Sequence, residues 1–221
     1  MPKIWFISDT HNQHDRLVVP PGIDAVVHCG DESTQRKSKW NEAEARAFFE
    51  WYARLPVATR VYVPGNHSTA VEQGLIRPGE YPGIQFLIHQ AWHWSGLALF
   101  GSPYTPWFFG WAYNVHRPKL EPLWQAIPSE TEILITHGPP KGIRDVTRDW
   151  RSREPIHVGS QSLTRQVTQR IQPRIHAFGH LHDEQGIANF GQHTEDGIQF
   201  VNCACCDLSG RLIHHGMVLE V

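Results

Sequence analysis

Five apolar runs punctuate the chain, and each breaks off into polar residues at its C-terminal end. Ile4 to Ile7 runs into Ser8-Asp9-Thr10-His11, Ala25 to Cys29 into Gly30-Asp31, and Val61 to Val63 into Pro64-Gly65-Asn66-His67. Ile133 to Thr136 ends in His137, and Ile175 to Phe178 in Gly179-His180-Leu181-His182. Short unbroken apolar runs predict strands buried on both faces. Ligands of open α/β sheets gather at the carboxyl ends of the strands, so the runs predict one site that collects Asp, Asn and His.

Helical spacing marks the segments between them. From Asn41 to Leu55 the positions Ala43, Ala47, Trp51 and Leu55 recur at helical intervals with Phe48 and Tyr52 beside them, and Asn41 with Glu44 forms a capping-box pattern. Lys119 to Ala126 reads as a short helix, and Ser162 to Ile171 as another, from Leu163, Val167 and Ile171. Ile84 to Ile88 and Leu97 to Phe100 predict a second sheet region, with Trp92 and Trp94 between them, and Gln199 to Val201 and Leu212 to Leu219 complete a sheet. Gly101 to Asn114 is irregular by its prolines and glycines, yet Trp107, Phe108, Phe109 and Trp111 are too many rings for an open loop. They either pack on the core or wall a pocket for a base or an aryl group. Lys141 to Arg153 is a mixed charge run that reads as a solvated loop, in which Arg144 is the candidate phosphate contact because it follows His137 closely.

The composition of the 221-residue chain narrows the function. No Pro/Gly/Ser linker divides it, so residues 1–221 are expected to form one domain. A formal net charge of -2 supplies no basic face, which disfavours long nucleic acid as a partner. The apolar start is too short for a secretion signal and nothing resembles a membrane span, so a cytoplasmic protein is expected. Cys29, Cys203, Cys205 and Cys206 make no disulfide framework and lack a second ligand pair at zinc-finger spacing; small buried thiols at a strand end are expected.

With 15 histidines in the chain, one at a strand end means little. Asp9, His11, Asp31, Asn66, His137, His180 and His182 all fall at the same structural place, and they exceed the three or four protein ligands that one zinc takes. Two cations sharing a carboxylate are therefore expected, and a nitrogen and oxygen donor set without thiolates points to Mn, Fe or Zn.

Asp9-Thr10-His11, Gly30-Asp31, Gly65-Asn66-His67, His137 and Gly179-His180-Leu181-His182 resemble the ordered signature of the calcineurin-like metallophosphoesterases. Gly101-Ser102-Pro103-Tyr104 and Thr136-His137-Gly138-Pro139-Pro140 are further similar to the metallophosphoesterase-domain proteins akin to class III cyclic nucleotide phosphodiesterases. The resemblance implies a four-layer α/β/β/α sandwich of two mixed sheets flanked by helices. It also implies that Asp9, His11 and His182 hold one divalent or trivalent transition-metal ion, that Asn66, His137 and His180 hold the other, and that Asp31 bridges them. His67 would stay off the metals as a general acid or phosphate contact. Many such proteins carry an acidic residue where this chain has Ser68 and Thr34, so Glu32 or a backbone carbonyl is left to orient the His67 ring.

Two cations about 3.5 to 4 Å apart lower the pKa of a shared water and supply a bridging hydroxide for in-line attack at phosphorus. The expected activity is hydrolysis of small phosphodiesters such as cyclic nucleotides, with Arg144 and Trp107 as candidate substrate contacts. The alternatives are a phosphomonoesterase of the same fold and a low-turnover nucleotide-binding regulatory protein. The latter would be marked by missing ligands, and none is missing.

Overall fold

Side chains of β1 (Lys3–Ile7) alternate between two cores in the computed structural model, which describes residues 1–221. Ile4 and Phe6 point into the space between two sheets, where they meet Val27, Leu99, Ile135 and Ala177, while Trp5 and Ile7 point outward to Phe48, Phe49 and Tyr52. Burial on both faces is why the run reads as continuously apolar.

The first sheet is built from β1, β2 (Ala25–His28), β3 (Thr59–Tyr62) and β4 (Gln85–Phe86), all parallel. The second uses β5 (Gln90–Trp94) and β6 (Leu97–Ser102), and after the small pair β7 (Thr105–Pro106) and β8 (Asn114–Val115) it continues with β9 (Ile133–Thr136). A hairpin of β10 (Val146–Arg148) and β11 (Pro155–His157) stands apart. Then β12 (Ile175–Phe178), β13 (Gly191–Glu195) and β14 (Ile198–Asn202) complete the second sheet in the order β13-β14-β12-β9-β6-β5. The last strand, β15 (Met217–Glu220), returns antiparallel to the edge of β1.

Helix α1 (Ser38–Ala53) covers the outer face of the first sheet, followed in the chain by the single turn α2 (Thr69–Glu72). On the outer face of the second sheet, α3 (Arg117–Gln125) and α4 (Gln161–Gln166) bury Leu120, Trp124 and Leu163 against Phe178 and Phe200. The layers are helix, sheet, sheet, helix, as the resemblance implied. No helix is long and apolar enough to cross a membrane.

Several local expectations are corrected. The buried face of α1 is Asn41, Ala45, Phe48, Phe49 and Tyr52, and Ala43 and Ala47 face solvent. Aromatic area outweighs alanine spacing, because each ring removes far more apolar surface from water than a methyl does. Asn41 and Glu44 form no capping box, since α1 begins earlier, at Ser38. Both tether the neighbouring loop: Asn41 Nδ2 donates to the Gln35 and His67 carbonyls, and Glu44 Oε2 accepts from the Thr34 and Gln35 amides. Val167 to Ile171 completes α4 as a π-turn, so the expected helix over 162–171 changes pitch at its middle. The segment with Trp92 and Trp94 is itself a strand, and β13 was not readable because its residues are polar and mostly exposed on a sheet edge.

Candidate metal centre

The strand ends converge at one edge of the sandwich. Asp9, Asp31 and His137 are buried to within 1% of complete burial, and Asn66 and His11 are 3% and 7% exposed. Asp9, His11, Asp31 and His180 adopt left-handed backbone conformations, with φ of 50°, 40°, 62° and 70°. Non-glycine residues rarely do so, and such strain persists where the surrounding structure over-determines a functional geometry.

Two of the imidazoles are aimed by backbone carbonyls. His11 Nδ1 donates to Ser33 O at 2.9 Å and His182 Nδ1 to Cys206 O at 2.8 Å. A carbonyl only accepts, so in both rings the second nitrogen, Nε2, is the free atom, and the two Nε2 atoms lie 3.3 Å apart. Asp9 Oδ1 is 3.4 Å from His182 Nε2 and is buried without a hydrogen-bond partner, while its Oδ2 accepts from the His180 amide at 2.8 Å. An orphaned buried carboxylate oxygen beside converging imidazole nitrogens is what a cation site requires.

A second cluster lies alongside. His137 Nδ1 donates to Cys29 O at 2.9 Å, and its Nε2 is 2.8 Å from Asn66 Oδ1 and 3.4 Å from Asp31 Oδ2. Asp31 Oδ1 is fixed by the His67 amide at 2.6 Å. Ligand-type atoms of Asp9, His11 and His182, of His11, Asp31 and His67, and of Asp31, His137 and His180 each fall within 4.8 Å of one another. His11 and Asp31 each belong to two clusters, so the groups form one continuous centre. Burial lowers His11 to about 4 and His180 to about 3, which keeps both imidazoles neutral and their lone pairs available near pH 7. Against the opposing effect of burial, the Asp31 carboxylate raises His137 to about 9, and His137 and His67 in turn hold Asp31 well below the usual carboxylate range. The chemistry of this donor set fits two hard-to-borderline cations.

His67 is oriented by a backbone carbonyl, one of the two possibilities left open by the sequence. Its Nδ1 donates to Thr34 O at 3.0 Å, and Nε2 faces Asp31 Oδ2 at 4.0 Å. Trp111 lies over the ring at 4.3 Å between centroids, and the Arg36 guanidinium stacks on Trp111 at 4.4 Å. Glu32 serves elsewhere. Fully buried, it accepts from Tyr62 Oη at 2.6 Å, Ser68 Oγ at 2.7 Å and Ser33 Oγ at 3.1 Å, and Ser68 Oγ accepts from the Gly65 amide at 2.8 Å. Glu32 and Ser68 thus brace the turn that presents Asn66 and His67. Burial pushes the Glu32 carboxyl up. Glu32→Ala, which takes an acceptor from three buried hydroxyls, should cost about 2 kcal/mol or more in urea unfolding, and Glu32→Gln clearly less. Equal losses would show that neither the side-chain volume nor a neutral acceptor at this position supports the turn.

Arg144 is not brought to the centre. Its guanidinium donates to the Asn189, Phe190 and Gln192 carbonyls and holds the entry into β13. Trp107 does reach a cleft of about 540 Å³ that opens on His180 and His182, with Phe108 and Phe109 beside it. Phe108 lies 5.3 Å from the His180 ring. Across the same cleft the β10–β11 hairpin contributes Arg148 and Trp150, which the sequence reading passed over as a solvated run. The available signal was Trp150 itself, an indole inside a charged segment. The four cysteines are free and buried, as expected.

Residues 2–184 match the family described as calcineurin-like phosphoesterase. The chain is 30% identical over 240 residues to metallophosphoesterase domain-containing protein 1 of Homo sapiens, covering 97% of this chain and 69% of that protein. It is 31% identical over 225 residues to UPF0046 protein K07C11.7 of Caenorhabditis elegans, covering 95% of this chain and 72% of that one. Among solved structures, the phosphopantetheinyl hydrolase of Mycobacterium tuberculosis is similar with a TM-score of 0.61 at 14% identity, over 95% of this chain and 91% of that one. TT1561 of Thermus thermophilus is similar with a TM-score of 0.57 at 15% identity, over 94% and 90% of the two chains. At these identities the structural likenesses speak to the fold alone.

Proposed function

Because the chain belongs to the calcineurin-like phosphoesterase family, we propose that it is a dinuclear metal-dependent phosphodiesterase acting on small organic phosphodiesters such as cyclic nucleotides. One observation carries the proposal: two His/Asp clusters linked through His11 and Asp31 lie buried beside an aromatic-lined cleft. In this reading, Asp9, His11 and His182 would hold one cation and Asn66, His137 and His180 the other, with Asp31 shared between the two sets. Cations bound there, with Mn, Fe and Zn the fitting choices, supply an acidified water and neutralise phosphoryl charge.

The chain's own residues do the rest. The Ser33, Cys29 and Cys206 carbonyls each accept the Nδ1 proton of His11, His137 and His182, so each Nε2 is already turned toward the centre. His67, with its Nδ1 proton committed to Thr34 O, turns Nε2 toward the centre, where the imidazolium form donates a proton to a departing oxygen. Trp111 covers its outer face.

A substrate panel tests the activity. Purified protein supplied with Mn should hydrolyse an aryl phosphodiester and at least one of the 2′,3′- and 3′,5′-cyclic nucleotides faster than an aryl phosphomonoester. Preference for the monoester would reject the diesterase, and no turnover on any of them would reject the enzyme.

His67→Ala separates proton donation from metal holding. It should keep the wild-type metal content and lose about 100-fold in kcat on a diester with a poor leaving group, but far less on p-nitrophenolate, which needs no proton. Equal losses on both leaving groups would remove the general-acid role, and loss of metal would make His67 a ligand.

A further inference from the structure

We infer that Arg36 is a positioning residue for His67: its guanidinium latches the loop that carries Trp111, and the indole so held keeps the His67 ring turned toward the metal centre. What His67 does when held there rests on the phosphoesterase reading; the latch itself rests on contacts alone.

His67 needs support. Its Nδ1 proton goes to Thr34 O at 3.0 Å, its side chain is 18% exposed, and the carboxylate oxygen it faces, Asp31 Oδ2, stands 4.0 Å from Nε2. One hydrogen bond from Nδ1 fixes a direction but leaves the ring plane free to pivot about it, and at a partly solvated rim water competes for the same proton. Two neighbouring rings oppose the pivot. His11 meets His67 edge-on at 4.8 Å and 81°, and Trp111 covers it at 4.3 Å between centroids.

Trp111 is poorly tethered by its own loop. The Phe108 and Trp111 amides both donate to Asn114 Oδ1, a few residues along the same loop, while Phe109 and Gly110 turn through left-handed conformations with φ of 50° and 64°. Arg36 is the one residue from outside the loop that hydrogen-bonds to residues 108–111: its Nη2 donates to Phe109 O at 2.7 Å and to Gly110 O at 3.2 Å. The same guanidinium lies over the Trp111 ring at 4.4 Å. A guanidinium can do both at once because its N–H groups point outward in its plane and leave its faces free for an aromatic ring, whereas an ammonium is a compact point charge.

The contacts close on themselves. Arg36 belongs to the loop whose Thr34 carbonyl holds the His67 ring, and that loop is tied to α1 by Glu44 and by Asn41, whose Nδ2 also donates to His67 O. From Thr34 to His67, from His67 to Trp111, from Trp111 to Arg36 and back along the chain to Thr34, each member limits the movement of the next. Arg36 is the member that joins the two loops.

Kinetics on Mn-loaded protein and imidazole nitrogen NMR on Zn-loaded protein test the latch. Arg36→Ala should keep the metal content and Tm of wild type and lose about tenfold in kcat on a diester with a poor leaving group, with little change in KM and little loss on a p-nitrophenyl diester. Arg36→Lys should lose nearly as much, and Trp111→Ala should match Arg36→Ala. Trp111→Phe should retain most of the rate, because a ring still covers His67. In a His67→Ala background, Arg36→Ala should cost no more than about twofold further, since the group it positions is gone. A full tenfold further loss there would mean that Arg36 acts by itself, and it overturns the inference. Independently of turnover, the His67 ring resonances, assigned by their absence from His67→Ala, should shift in Arg36→Ala and stay near their wild-type positions in Trp111→Phe. Unmoved His67 resonances in Arg36→Ala overturn the latch whatever the rates. A wild type that hydrolyses no phosphodiester, with those resonances still moved by Arg36→Ala, would reject the enzymatic reading and keep the latch.

Discussion

Asp31→Ala is expected to lower the occupancy of both metal positions together and to reduce kcat on a phosphodiester by about a thousandfold or more, at about 1.4 kcal/mol per factor of ten. Its carboxylate belongs to two of the three ligand clusters, one with His11 and His67 and one with His137 and His180. Asp31 Oδ2 lies 3.4 Å from His137 Nε2, and Oδ1 accepts the His67 amide at 2.6 Å. In the proposed centre its removal would take one charge from two cations at once, and it frees the turn that presents Asn66 and His67. Asp9→Ala leaves the Asp31-His137-His180 cluster whole, so it should deplete one position more than the other.

Metal analysis after dialysis distinguishes the two variants. Wild type should retain about two equivalents, Asp31→Ala well under one, and Asp9→Ala an intermediate amount. An Asp31→Ala protein that still holds both metals would leave no bridging role for this residue, whatever its activity.

The candidate ligand set was legible because strands buried on both faces make unbroken apolar runs, and a titratable residue just past such a run stands out. Six of the seven candidate ligands sit at or just past these ends, and Asn66 was readable from the Pro64-Gly65 turn that lifts it there. Hydrogen bonds to backbone carbonyls were not legible, because Ser33 O, Thr34 O and Cys206 O carry no side-chain signature. Arg144 illustrates the converse: closeness to His137 in the chain implied a phosphate contact, yet its guanidinium donates to three carbonyls, two in the loop before β13 and one in β13 itself. The cleft was half legible. The ring-rich segment after Gly101 could be read as a wall, but its opposite side comes from a polar hairpin whose partnership with that wall is set by tertiary packing alone.

Glycines beside the ligands show a third kind of signal, one of space. A Cβ added at Gly65 would stand 2.2 Å from Asp31 Oδ1, and one at Gly179 would stand 2.1 Å from both Asp9 Oδ2 and Ser8 Oγ. At Gly179 two loops from different sheets cross with room for hydrogen only. The His180 amide donates to that same Asp9 oxygen, and Gly179 N donates to His137 O at 3.0 Å. An alanine must therefore push the Gly179 to His182 turn away from Asp9, breaking a buried charge-assisted hydrogen bond and separating Asp9 from His180 and His182.

Gly179→Ala is accordingly expected to lose about 3 kcal/mol or more, from overpacking together with the lost hydrogen bond, and most of its metal. For a chain of this size that corresponds to a fall in Tm of about 6 to 12 °C. Gly83→Ala is the matched control, since its Cβ meets nothing within 4 Å, and it should stay within about 0.5 kcal/mol of wild type. Differential scanning calorimetry with and without added Mn reads both terms. Wild type and Gly83→Ala should gain stability with metal, and Gly179→Ala should gain little because its ligands no longer converge. A Gly179→Ala protein that melts with the control and responds equally to Mn would mean that the crossing loops have slack, and that the glycine before His180 is there for some reason other than contact with Asp9.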